Sequence, residues 1–298
     1  MRRRPALLVA TLLIVLALAG CRSGTANTPH DSVGGVLPTV RDGFGERPTI
    51  AFPSSGPPTS VAAKVLVQGT GRVVTKRDVV VVNYVGQVWG GAVFANTYDS
   101  GKPLVKALSA LVAGWSDNLV GVAAGSRILI SLPPSAGYGR DGATVPGIAP
   151  TDTTVFVVDV VNVFGFDAAG QAGAEPDPAA AASVAPQVQG GLGAPAGLTL
   201  PTGVTAPTQV VTTVLARGTG APVHEGDLVG QYAGVDWMGN SVGSSWQAGT
   251  PEVFRVSADV PTFAGLLGVP IGSRVLLQEP ATSASPAVAV VVDLVAQP

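Results

Sequence analysis

The chain has two histidines, His30 and His224, and one cysteine, Cys21. His30 stands in a polar stretch and His224 in a turn-like Pro-Val-His-Glu-Gly run. Neither accompanies a serine, cysteine or carboxylate cluster, so nucleophilic and metal-dependent chemistry lack their residues. Gly137-Tyr-Gly-Arg-Asp-Gly142 fits the spacing of a dinucleotide cradle, but it follows Pro133-Pro134 and runs into Thr144-Val-Pro146 instead of opening a helix. No cofactor is therefore expected. The remaining residues with chemical character are aromatic: Tyr84, Phe94, Trp115, Tyr138 and Phe156, set in a chain rich in valine.

The elements that must position them can be read from the apolar pattern. Residues 79–84, 127–132 and 154–163 are valine- and isoleucine-rich runs bounded by Gly, Pro and Asp, which predicts buried strands of one antiparallel sheet. Leu111, Val112, Trp115, Leu119 and Val122 are spaced to lie on one side of a short helix covering one face of that sheet. Tyr138 falls on a loop.

Asp78-Val-Val-Val-Val-Asn-Tyr84-Val-Gly86, Gly101-Lys-Pro103, Leu111-Val-Ala-Gly-Trp115, Leu119-Val-Gly-Val-Ala-Ala-Gly125, Pro133-Pro134 with Gly137-Tyr-Gly139, and Val155-Phe-Val-Val-Asp159 occur in one order over about a hundred residues. In this the segment 46–166 resembles the FKBP-type peptidyl-prolyl cis-trans isomerases. The resemblance implies an α+β fold, a curved antiparallel β-sheet wrapped around one short helix. It also implies a pocket with Trp115 as its floor and Tyr84, Phe94, Val112, Tyr138, Ile148 and Phe156 as its walls. The Tyr138 hydroxyl and the Val112 main-chain N–H would hold substrate carbonyls. Such a pocket suits the reaction. Rotation about X-Pro crosses a barrier of ~18–20 kcal/mol set by amide resonance, and a dry cavity favours the twisted, less polarised amide. The chain departs from the family at Ala95, where an Asp is common, and at Leu104, where an aromatic residue is frequent. Both predict a weakened activity.

The motifs recur. Ile50-Ala-Phe-Pro53 matches Leu198-Thr-Leu-Pro201, Val65–Gly71 matches Val214–Gly220, Gly125-Ser-Arg127 matches Gly272-Ser-Arg274, and Val158-Asp159 matches Val292-Asp293. Two units of this size predict two globular domains, each with its own core. In the second, Tyr232 stands for Tyr84, but Val242 replaces Phe94, Thr262 replaces Trp115 and Val290 replaces Phe156. The loop 279–286 has no tyrosine. This second domain is expected not to isomerise proline, and Trp237, matching Trp89, is expected to pack in its core.

Residues 1–21 combine Arg2-Arg3-Arg4, an apolar run from Ala6 to Ala19 and Leu18-Ala19-Gly20-Cys21, the layout of an export signal ending in what resembles a bacterial lipobox. Cys21 would carry the lipid, and two acyl chains suffice for stable anchoring. Polar residues 22–45 read as a flexible tether, 46–166 as the isomerase-like domain, 167–195 as an Ala/Pro/Gly-rich linker and 196–298 as the degenerate copy. The formal net charge is −2, and a mature chain from Cys21 would hold 14 basic against 19 acidic residues. With no basic face, nucleic acid is not an expected partner. The expected partners are the membrane, through Cys21 on the extracytoplasmic face, and proline-containing exported polypeptides. A client-binding or scaffolding lipoprotein without turnover is the alternative, favoured by Ala95 and the degenerate copy.

Overall fold

The computed structural model describes residues 35–139 and 146–298. The expected export signal, Cys21 and residues 22–34 of the expected tether lie outside the described residues. So does the second half of the Gly137–Gly142 motif.

The first half opens with β1 (Thr39–Arg41) and β2 (Thr49–Ala51), which pair with each other. The main sheet follows with β3 (Ala62–Val67), β4 (Val79–Val88), β5 (Val93–Asn96), β6 (Leu104–Ala107), helix α1 (Ala113–Leu119), β7 (Arg127–Leu132) and β8 (Thr154–Phe164). Its order is β3-β7-β8-β4-β5, with β6 also on β4, and every pairing is antiparallel. The valine runs are nearly continuous because both faces are covered. Val80, Val82, Ile128, Ile130, Phe156 and Val158 face Trp115 and Leu119 of α1. Leu129, Val155 and Val157 face the β1–β2 pair through Val40, Ile50 and Phe52. The helix is shorter than its apolar spacing suggests: Val112, 38% exposed, caps it, and Val122 lies beyond its end.

The second half contains β9 (Glu175–Pro176), α2 (Pro178–Ser183), β10 (Gln187–Gln189), β11 (Gly197–Thr199), β12 (Val211–Arg217), β13 (Gly226–Asp236), β14 (Ser241–Ser244), α3 (Ser245–Ala248), β15 (Glu252–Val256), α4 (Pro261–Ala264), β16 (Arg274–Glu279) and β17 (Val288–Ala296). Its sheet runs β14-β13-β17-β16-β12-β9, with β15 also on β13. β12 to β17 thus repeat the connections of β3 to β8, and β10–β11 repeat β1–β2.

Two boundaries differ from the sequence reading. Residues 39–45, assigned to the tether, belong to the fold. The Arg127 guanidinium is buried, pairs with Asp159 at 2.6 Å and also donates to the carbonyls of Asp42 and Glu46, while Asp159 accepts from Gly45 N. The stretch 167–195 is likewise not a bare linker. Gly170 N donates to Asp293, Gln171 N to Gly272 O, and Arg274, itself paired with Asp293, donates to the carbonyls of Gly190, Gly191 and Ala194. Composition reports on side chains, and these segments are held by their main chains, which Ala, Gly and Pro offer as well as any residue. Trp237 packs in the second core and donates from its indole to Val204 O.

The halves touch through matching strands. Val81 and Val105 of the first meet Val229 and Val253 of the second in one apolar cluster. Because Tyr84 corresponds to Tyr232, Val81 and Val229 are equivalent positions, and the contact brings like surface against like. Gln231 donates across it to Phe166 O.

Candidate functional site

Five aromatic rings converge on the helix-covered face of the first sheet. Tyr84 comes from β4, Phe94 from β5, Trp115 from the first turn of α1, Tyr138 from the loop after β7, and Phe156 from β8. The Trp115 ring centre is 5.0 Å from Tyr84 and 5.0 Å from Phe156, both nearly edge-on. Phe94 continues the chain, 5.7 Å from Phe156 and 6.0 Å from Tyr138 in the same geometry. Each such contact adds ~0.5–1.5 kcal/mol beyond its buried area. The arc therefore holds its shape without a ligand.

Trp115 is 4% exposed and Phe156 1%, while Tyr84, Phe94 and Tyr138 are half-buried. Floor and rim are thereby distinguished. Ile148 is buried, following Gly147, whose position abuts Phe94. Val112 heads α1, and a cap residue's N–H is not used by the helix itself. The Trp115 indole N–H is shielded from water and meets no acceptor among the described residues.

Two glycines make the assembly possible. A Cβ on Gly86 would lie 2.8 Å from the Phe94 ring and 2.9 Å from that of Phe156, so the bare strand leaves room for both rings to close over it. A Cβ on Gly114 would lie 2.5 Å from the Ala136 carbonyl oxygen and 2.7 Å from both Leu132 methyls. Only glycine lets α1 approach the loop that carries Tyr138.

Burial pushes the Tyr84 phenol above its ordinary pKa, and burial together with the nearby Tyr84 does the same for Tyr138. Both hydroxyls stay protonated at neutral pH, so Tyr138 is available as a hydrogen-bond donor. Apolar walls with a neutral donor at the rim can hold a carbonyl and an apolar ring, and supply no nucleophile.

Further residues brace the arc. Thr97 Oγ1 accepts from Tyr84 N at 2.9 Å and donates to Asn83 Oδ1 at 3.0 Å. Tyr98 donates to Asp159 at 2.8 Å, tying the segment after Phe94 to the buried Arg127–Asp159 pair. Ala95 pairs with Gly86 between β5 and β4, directly ahead of this segment. The repeated Gly-Ser-Arg and Val-Asp motifs were the available signal for the ion pair. Nothing in the sequence pointed to Thr97.

The second half keeps Tyr232 on β13, 6.2 Å from Phe254, which is 5.5 Å from Phe263. Counting from the helix caps, Phe263 rather than Thr262 takes the place of Trp115: Phe263 N bonds to Val260 O as Trp115 N bonds to Val112 O. The connection before β17 carries Thr282 and Ser285 bonded to each other where the first half has its tyrosine loop. Val242 is exposed, and Val290 pairs with Gly234 as Phe156 pairs with Gly86.

Residues 71–161 match the family model of FKBP-type peptidyl-prolyl cis-trans isomerases. The FKBP-type peptidyl-prolyl cis-trans isomerase FkpA of Escherichia coli (strain K12) is 37% identical over 105 residues, 35% of this chain and 38% of FkpA. The FK506-binding protein of Streptomyces anulatus is 35% identical over 121 residues, 40% of this chain and 98% of that protein. The outer membrane protein MIP of Legionella longbeachae is 32% identical over 106 residues, 36% of this chain and 45% of that protein. The chain thus spans less than half the length of FkpA and MIP, and nearly all of the Streptomyces protein.

Proposed function

The chain belongs to the family of FKBP-type peptidyl-prolyl cis-trans isomerases, and from that premise we propose that its first half catalyses rotation about X-Pro bonds. The observation that carries this reading is the arc in which Tyr84, Trp115, Phe156, Phe94 and Tyr138 follow one another at 5.0–6.0 Å. A prolyl ring rests on the indole, the Tyr138 hydroxyl and the Val112 N–H hold flanking carbonyls, and the apolar walls keep water from the amide. Rotation lowers the polarity of the C–N–O system, so exclusion of water favours the transition state over the planar amide. No covalent intermediate or metal is required. Val112, Ile148 and the five rings constitute the proposed site.

The same reading makes the chain two FKBP-like domains, with turnover in the first alone. The second, with Tyr232, Phe254 and Phe263 but no loop tyrosine, lacks the hydroxyl that orients a substrate carbonyl. Ala95 lowers the rate of the first without abolishing it. The substrates are exported polypeptides whose folding waits ~10–100 s for uncatalysed isomerisation. Lipid on Cys21 holds the protein to the extracytoplasmic face of the membrane. This is supported by the basic, apolar and small-residue order of residues 2–21 and by the membrane placement in the name of one relative. Among the described residues no helix is long and apolar enough to cross a membrane.

The test is an X-Pro isomerisation assay on the full chain with Trp115→Ala and Tyr138→Phe. Acceleration by wild type, reduced in both variants, is expected. Equal background rates in all three would leave the client-binding alternative, for which Ala95 and the second half's missing tyrosine speak.

A further inference from the structure

We propose that the second half binds an uncharged, extended peptide segment of small residues behind its sheet, beside edge strand β14 and away from the aromatic arc. A cavity of about 540 Å³ lies there, within the range of small-ligand sites. Its floor is Ala233 and Gly234 of β13, one wall is Gly197 and Leu198 of β11, and the other is β14 with Trp246. Every residue lining it is uncharged.

The first half shows what the same place looks like when closed. Strand register equates Ala233 with Val85, Ser244 with Asn96 and Trp246 with Tyr98. The matching segments that begin at Ile50 and Leu198 equate Pro195 with Arg47 and Gly197 with Thr49. In the first half Arg47 bonds Asp99 at 2.8 Å across this place, and Asn96 bonds Asp99 through both its amide and its oxygen. The second half has Pro195 and Gln247 at those positions, so the bridge is absent, and three lining residues are smaller than their counterparts: Ala233 for Val85, Ser244 for Asn96 and Gly197 for Thr49. Tyr98 closes the first half by reaching Asp159. Trp246 has no such hydroxyl; its ring lines the cavity and its N–H has no acceptor among the described residues.

The chemistry of the opening selects the occupant. β14 is the outer strand of its sheet, and the Gly243 N–H makes only a long hydrogen bond, 3.4 Å, to Ser241 Oγ, which a main-chain carbonyl could replace. Such an edge recruits an extended chain by main-chain hydrogen bonds. The carboxamides of Gln189 and Gln247 at the rim both donate and accept, as peptide groups do. A charged side chain would find no counter-charge, and the glycine-lined walls accept main chain more readily than bulk.

The probe is a blocked octapeptide, acetyl-Thr-Val-Gly-Ser-Thr-Val-Gly-Ser-amide, titrated into the full chain by calorimetry and followed by main-chain amide shifts. Saturable binding with Kd below about 1 mM is expected, with the largest shifts at Ser241–Ser244. A variant carrying Pro195→Arg, Gly197→Thr and Gln247→Asp rebuilds the first half's closure. It should bind at least about tenfold more weakly while its X-Pro isomerase rate stays at the wild-type value. Absence of saturable binding, shifts centred on Trp115 and Tyr84 instead, or equal affinity in the closed variant would each overturn the proposal.

Discussion

Replacing Arg127 and Asp159 together tests whether the β1–β2 segment is part of the first fold. Removal of one member, as in Arg127→Met, strands a buried carboxylate and should cost about 3–5 kcal/mol. An ordinary buried ion pair replaced on both sides by apolar residues is neutral or gains about 1–4 kcal/mol. This pair is not ordinary. Arg127 also holds the Asp42 and Glu46 carbonyls at 2.8 and 2.6 Å, and Asp159 holds Gly45 N and the Tyr98 hydroxyl at 2.7 and 2.8 Å. Four charge-assisted bonds at about 1.5 kcal/mol each outweigh the apolar gain, so Arg127→Met with Asp159→Leu should still lose about 2–5 kcal/mol. Urea unfolding of the full chain followed by tryptophan fluorescence measures this loss, and trypsin cleavage after Arg41 reports release of the segment. A double variant as stable as wild type, with cleavage unchanged, would show that the segment is an appendage and the reasoning wrong.

Four other outcomes follow from the same geometry. Trp115→Ala removes edge contacts to two rings and should cost about 3–5 kcal/mol of stability, whereas Tyr138→Phe should cost less than about 1.5 kcal/mol and act mainly on kcat/KM; thermal melts beside the isomerase assay separate the two. Gly114→Ala should destabilise by about 1–3 kcal/mol and lower kcat/KM, because the displaced Ala136 carbonyl belongs to the loop bearing Tyr138. Ala95→Asp should raise kcat/KM if the polar rim common in the family is what this chain lacks, and an unchanged rate would remove Ala95 as the cause of any weakness. The Tyr98 phenol is raised above its unfolded value of 10.0 by burial and by Asp159. Its contribution to stability is therefore complete below pH 10 and is lost as pH climbs beyond, so the melting temperature should fall on the alkaline side, and less steeply in Tyr98→Phe.

Four rings of the aromatic arc, Tyr84, Trp115, Tyr138 and Phe156, sit at motifs in the sequence, whereas Phe94 came only with the family resemblance, and strands β7 and β8 were visible because their valine and isoleucine runs are bounded by Gly, Pro and Asp. The pairing of Arg127 with Asp159 was implicit in motifs that recur as Arg274 and Asp293, but a repeat in sequence does not say that two residues meet. Thr97, which braces Tyr84 from thirteen positions away, carried no signal, since one hydroxyl among many becomes specific only when two strands bring it to a backbone amide.

Residue order by itself determined that the central strands would be buried, where the glycines needed for close approach would fall, and that the chain carries its strand pattern twice. Tertiary structure alone decided that residues 39–45 and 170–194 close over buried arginines, that Phe263 rather than Thr262 stands where the indole is in the other half, and that one groove is bridged while its counterpart is open. The physical reason is range: periodicity and turn chemistry act over a few residues, whereas these contacts join carbonyls, guanidinium groups and rings separated by tens of positions, and only the closed sheet sets their distances.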